Sequence, residues 1–160
     1  MATIRVQTGD FEVGAELAAL RARNPRIGAV ACFVGTVRDL NEGDTVAALE
    51  LEHYPGMTEK ALEAIAADAI ARWPGIDVAI VHRVGRLLPL DQIVFVATVS
   101  AHRGEAFASC EFVMDYLKTQ APFWKKETTP AGERWVDARS SDDAALARWG
   151  LVSGNAREAG

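Results

Sequence analysis

Sulfur chemistry is scarce in this chain: Cys32 and Cys110 are its two cysteines, they stand far apart, and no CxxC pair exists. Both fall in apolar stretches, so they read as reduced core thiols and not as a disulfide or half of a metal site. The three histidines, His53, His82 and His102, have no metal-ligand spacing. His53 and His82 sit inside strand patterns and read as packed or edge residues. GxGxxG, a Walker loop, HExxH and GxSxG are all missing, which removes the commonest dinucleotide, nucleotide and hydrolase chemistries. Nor is there a basic excess. Lysine and arginine total 17 against 22 aspartates and glutamates, for a net charge of -5, so a general nucleic-acid binder is excluded and any anion site is local. No apolar run approaches the ~18 residues of a membrane span. Arg5, Asp10 and Glu12 stand where a signal peptide would be apolar, so the expectation is a cytoplasmic protein with no membrane contact.

Hydrophobic residues make up 49% of the 160, enough for one core, and the expectation is a single domain over 1–150 with a loose tail at 151–160. "TIRVQT" reads as a strand and "EVGAELAALRARN" as a helix. "IGAVACFVG" is a β-branched run that predicts a buried strand, and "TVRDLNEGD" after it is loop chemistry. In "TVAALELEH" the leucines Leu49 and Leu51 alternate with Glu50 and Glu52, the period of a half-buried strand. Residues 58–73 put Leu62, Ile65, Ala69, Ile70 and Trp73 on one helical face, with Thr58 as a cap and Pro74-Gly75 as the stop. Strands "DVAIVHRVG" and "QIVFVATVSA" follow, joined by "RLLPLD", then a second amphipathic helix over about 104–120. "ERWVDA" predicts a closing hairpin strand and "SDDAALARW" a short helix. The order is not strict βαβ repetition, so the fold class is α+β: a mixed, mainly antiparallel sheet, two main amphipathic helices and a C-terminal hairpin.

Cations stand at the ends of these elements. "GTVRD" places Arg38 just past a strand, where a guanidinium can fork onto phosphate. "SAHRGEAF" places His102 and Arg103 at a helix start, where unpaired N–H groups already favour an anion.

In the second helix Ala106, Cys110, Val113 and Leu117 form the buried stripe, with Lys118 at its edge. Pro122 stops the helix. "PFWKKE" then runs extended, with Phe123 and Lys125 on one face and Trp124 and Lys126 on the other. If Lys118 and Lys125 converge beside Arg103 and Arg38, each ammonium disfavours protonation of the next by ~4 kcal/mol at 4 Å and an effective dielectric near 20. Such lysines become general acids, bases or nucleophiles. Lys118 and Lys125 are the expected catalytic pair, and Lys126 is accessory.

The blocks "GAVACFVGTVRD", "LELEHYPGMTEKAL", "VHRVG", "IVFVATVSAHRGEAF" and "MDYLKTQAPFWKKE" together resemble the catalytic (large) subunits of molybdopterin synthase, over roughly residues 25–139. The resemblance implies an α/β hammerhead-type fold and a homodimer completed to a heterotetramer by a ubiquitin-like small subunit, whose C-terminal Gly-Gly carries a thiocarboxylate. It implies sulfur transfer onto cyclic pyranopterin monophosphate to make the molybdopterin dithiolene, with no cofactor or metal. The family's substrate-binding positions fall on Thr36, Val37, Arg38, His102, Arg103, Lys118, Lys125, Lys126 and Glu127. Neither cysteine is placed as a sulfur donor, which agrees with sulfur arriving from elsewhere. The alternative is a noncatalytic module that binds a phospholigand or a ubiquitin-like partner.

Overall fold

The computed structural model describes residues 2–136 and 140–150, so the expected tail at 151–160 lies outside the described residues. In chain order the elements are β1 (Ala2–Gln7), α1 (Val13–Arg21), β2 (Ala29–Thr36), β3 (Leu40–Asn41), β4 (Asp44–Thr45), β5 (Ala48–His53) and α2 (Met57–Arg72). They continue with β6 (Asp77–Arg83), β7 (Gly85–Leu87), β8 (Gln92–Ser100), α3 (Arg103–Gln120), β9 (Phe123–Thr129), β10 (Gly132–Val136) and α4 (Ser140–Ala147).

Two four-stranded sheets organise the fold, one in the order β1-β6-β8-β2 and the other in the order β10-β9-β5-β7. Among the described residues every pairing is antiparallel except β1 with β6, as the mixed, mainly antiparallel reading anticipates. Helices α2 and α3 cover one face of the first sheet. Leu62, Ile65 and Ala69 from α2, and Ala106, Cys110, Val113 and Leu117 from α3, pack there on Val78, Ile80, Val94 and Val96. Each large apolar side chain so buried contributes about 1.5–3 kcal/mol of transfer free energy. On the opposite face Leu20 of α1 and Phe11 meet Val81, Phe95, Ala97 and Val99. A smaller cluster, Val37, Leu49, Leu51 and Leu87, backs the second sheet.

Four expectations change. Cys32 is exposed, because β2 is the edge strand of its sheet and Val30 and Phe33 are also 38% and 40% exposed. An apolar run reads as buried, but composition does not say whether a strand has one neighbour or two. The polar stretch after β2 contains a tight hairpin, β3–β4, whose central Glu42 and Gly43 both have positive φ, 52° and 85°. "RLLPLD" carries the end of a further short strand, β7, which pairs with β5. Helix α2 is capped at Gly56, whose N–H donates to the Glu59 carboxylate at 2.6 Å, while the Thr58 hydroxyl accepts from Tyr54 N–H.

Candidate active site

An open cavity of about 540 Å³ lies between the end of β2, the C-terminal turn of α3 and the inner face of β9. Thr36, Val37, Arg38, Lys118, Lys125 and Glu127 all line it.

Local structure explains how each arrives there. The β2–β8 register shifts between Gly35 and Thr36, and such an irregularity re-aims the residues beyond it. Val37 is then fixed by two backbone hydrogen bonds, its N–H donating to Asp91 O and its carbonyl accepting from Leu90 N–H, both 2.9 Å. With Val37 buried, Arg38 beside it stays exposed at the cavity. Lys118 follows buried Leu117 in the last turn of α3 and is itself exposed. The helix stops because Ala121 turns extended ahead of Pro122. Strand β9 then pairs with β5 on one side and β10 on the other, and Lys125 stands opposite both Leu51 and Val136.

Alternation along β9 separates the neighbouring lysines as the sequence predicts, although Trp124, expected on the Lys126 face, also lines the cavity. Lys125 lines the cavity, whereas Lys126 lies 3.8 Å from Glu50 and 3.6 Å from Glu133 and sits over the Trp135 ring at 5.6 Å. Glu127 returns to the inner face, and both of its carboxylate oxygens have protein donors. Oε1 accepts from Asn41 Nδ2 at 2.8 Å, and Oε2 accepts from Arg134 Nε and Nη2, each at 3.2 Å. Arg134 also reaches Asp44 at 2.7 Å, so this network ties β9 and β10 to the β3–β4 hairpin. The Asp44 and Glu127 carboxylates hold the Arg134 guanidinium above its ordinary pKa.

His102 and Arg103 are the N-cap and first residue of α3, both exposed, and neither lines the cavity. Lys118 lies at the other end of that helix, about 22 Å away at 1.5 Å per residue. Within one chain, therefore, Arg38, Lys118 and Lys125 come together and Arg103 does not join them.

The cavity wall also includes residues that sequence reasoning passed over. Asn41 comes from the small hairpin, Phe123 from the first position of β9, and Asp142 from the first turn of α4. Asp142 is brought in by tertiary docking: Arg148 pairs with Glu111 and Asp115 of α3, and Trp149 Nε1 donates to Asp115 at 2.8 Å. No local pattern signals that. Beneath Phe123 lies His82, stacked ring on ring. Burial drives its imidazole down to about 3, and the nearby Lys118 and Lys125 charges push the same way.

Neither thiol belongs to this site. Burial pushes Cys110 up to about 12, and Cys32, though exposed, is not part of the wall. The arrangement can neutralise a phosphorylated ligand with a guanidinium and two ammonium groups, and a lysine can exchange a proton with whatever reacts there.

The profile of the MoaE protein family matches residues 6–120. A molybdopterin synthase catalytic subunit from Ralstonia nicotianae is 65% identical over 159 residues, covering 99% of this chain and 90% of its own. The solved structure of a molybdopterin biosynthesis MoaE protein from Burkholderia ambifaria superposes with a TM-score of 0.83 at 83% identity, covering 94% of this chain and 99% of that one. A complex of subunits 1 and 2 of the molybdopterin-converting factor from Helicobacter pylori matches with a TM-score of 0.70, over 86% of this chain and 92% of that one. Its identity is 21%, so that likeness is one of fold.

Proposed function

The chain belongs to the MoaE protein family, and from that membership we infer that it is the catalytic subunit of a molybdopterin synthase, a sulfur-transferring enzyme of molybdenum cofactor biosynthesis. The observation that carries the site assignment is the convergence of Arg38, Lys118 and Lys125, from three separate elements, on one open cavity. The substrate placed there is cyclic pyranopterin monophosphate, with Arg38 taking the phosphate and Lys118 and Lys125 moving protons as carbon–sulfur bonds form. Thr36 and Val37 shape the wall. Lys126 supports the outer face of β9, and Glu127 holds the wall in place through Asn41 and Arg134.

The sulfur comes from a small ubiquitin-like subunit bearing a C-terminal thiocarboxylate. Three observations support this: the relative's description as a catalytic subunit, the two-subunit composition of the Helicobacter pylori complex, and the absence of either cysteine from the cavity wall. A thiocarboxylate is already nucleophilic, so the catalytic subunit supplies positioning, charge neutralisation and proton transfer. The working unit we assign is residues 1–150, acting in the cytoplasm. Among the described residues no helix is long and apolar enough to cross a membrane.

His102 and Arg103 join the site from a second copy of the chain. The outer edge of β2 has no strand partner among the described residues, and it exposes Val30, Cys32 and Phe33. An apolar open edge invites pairing with another chain. A two-fold antiparallel contact along it would set the Ala29 end of one β2 beside the Thr36 end of the other. Ala29 pairs with Ser100, two residues before His102, so the second copy's His102 and Arg103 would approach the first copy's Arg38.

The test mixes purified protein, cyclic pyranopterin monophosphate and thiocarboxylated small subunit, and follows molybdopterin by mass spectrometry. Product is expected only when all three are present. Product from the lone subunit with free sulfide would refute the partner assignment, and no product from the full mixture would refute the substrate assignment.

A further inference from the structure

His82 lies outside the cavity wall but is packed against the strand that carries Lys125. It shares a face of β6 with Val78 and Ile80, which turn toward α2 and α3, and it is 5% exposed. Its ring centroid is 3.7 Å from that of Phe123, with the two planes 15° apart. Nδ1 lies 2.8 Å from the Arg83 carbonyl oxygen. A carbonyl only accepts, so Nδ1 carries the proton and Nε2 keeps a lone pair. Phe123 opens β9, lines the cavity, and stands two residues before Lys125 on the same face.

We propose that His82 is a positioning residue for the lysine site: its imidazole, oriented by the Arg83 carbonyl, stacks on Phe123 and sets the start of β9, from which Lys125 reaches the cavity. This rests on the reading that Lys118 and Lys125 act on the substrate.

A phenyl ring at position 82 would stack but could not bond the carbonyl, and an ammonium would add charge beside the lysines. Imidazole supplies both the flat ring and the directional N–H. The groups acting on it are Lys118 from α3, Lys125 from β9 and His53 from β5, with Glu59 of α2 4.0 Å beyond His53. Burial and the two ammonium groups keep the ring uncharged at neutral pH. It therefore holds one charge state while the lysines above it exchange protons.

The test compares His82→Ala and His82→Phe with wild type in single-turnover sulfur transfer, using saturating thiocarboxylated partner, between about pH 6 and 9. His82→Ala is expected to slow the step about tenfold or more and to displace the basic limb of the pH profile, because Lys125 moves relative to Lys118. His82→Phe should recover most of the rate, since the stack returns. A folded His82→Ala protein with the wild-type rate and profile overturns the proposal, as does His82→Phe performing no better than His82→Ala. If His82→Ala does not fold, His82→Leu, which fills the space without offering a flat ring to Phe123, takes its place in the same comparison, and the same outcomes decide. Lys118→Ala and Lys125→Ala proteins that keep the wild-type rate would refute the site assignment itself. Inactive lysine variants beside a normal His82→Ala refute this inference alone.

Discussion

Glu127→Gln changes the shape of the inner face of β9 very little but removes an acceptor from a pair of donors. In the native protein one carboxylate oxygen serves Asn41 and the other serves Arg134. Glutamine has one acceptor and one N–H₂ group, so if Arg134 keeps the acceptor the N–H₂ group faces Asn41, which loses its present bond and regains one only by turning its own amide over. If the Asn41 side is lost, a charge-assisted hydrogen bond to a buried carboxylate goes with it, about 1.5–3 kcal/mol. At roughly 2–4 °C per kcal/mol for a domain of this size, the midpoint of thermal unfolding should drop by about 5 °C. Leu40 and Asn41 are part of the cavity wall, so the hairpin loosens and the single-turnover rate falls by about tenfold. Asn41→Ala cuts the same link from the other side and should slow turnover comparably, and the double variant should be little worse than either single one. Calorimetry and single-turnover kinetics on the three variants provide the check. Glu127→Gln abolishing turnover while Asn41→Ala leaves it normal would mean that the carboxylate itself touches substrate. An unchanged unfolding midpoint in Glu127→Gln would refute the energetic argument.

Lys118→Ala and Lys125→Ala should each lower the single-turnover rate at least ~100-fold with folding intact, while Lys126→Ala, on the outward face, stays near wild type; a severely slowed Lys126→Ala would refute the assigned faces of β9. Arg103→Ala and Lys118→Ala proteins, each inactive as a homodimer, should regain activity when refolded together, since a mixed dimer contains one intact site; no recovery in confirmed mixed dimers would refute the shared site. Iodoacetamide near about pH 8 should spare Cys110 in the folded protein, because burial holds that thiol far above that pH, and should reach Cys32 where the β2 edge is uncovered but not where a second copy lies along it. Peptide mass mapping reads that outcome, and labelling of Cys110 before Cys32 would contradict the burial assigned to α3.

What the sequence made legible is local and periodic. The stripe Ala106, Cys110, Val113 and Leu117 is buried as its helical spacing requires, and the parity of β9 separates Lys125 from Lys126. The cavity residues Arg38, Lys118 and Lys125 were within reach because their places on a loop, a helix edge and a strand face agreed with a family resemblance, whereas Thr36 rested on the resemblance alone. What stayed hidden depends on neighbours far along the chain. Edge and interior strands have similar compositions, so Cys32 read as core. Three-residue β7 is too short to show a period. Asp142 enters the wall only through the docking of α4 by Arg148 and Trp149. The separation of Arg103 from Lys118 was available from helix length alone, and it turns two anion sites on one chain into an argument for a second chain.

The docking of α4 has an optical consequence. Trp149 lies edge-on to Trp73 with ring centroids 5.9 Å apart at 83°, and edge-on to Phe112 at 5.5 Å. Two indoles that close and that rigidly crossed couple their electronic transitions, so the pair should dominate the near-ultraviolet circular dichroism. Trp124 and Trp135, about half exposed on the second sheet, contribute little to such a signal. Because α4 is held mainly through side chains, it can open at a lower free energy than the sheets. A dichroism band that fades while far-ultraviolet ellipticity persists would mark undocking of the segment that carries Asp142, giving the cavity wall a built-in spectroscopic reporter.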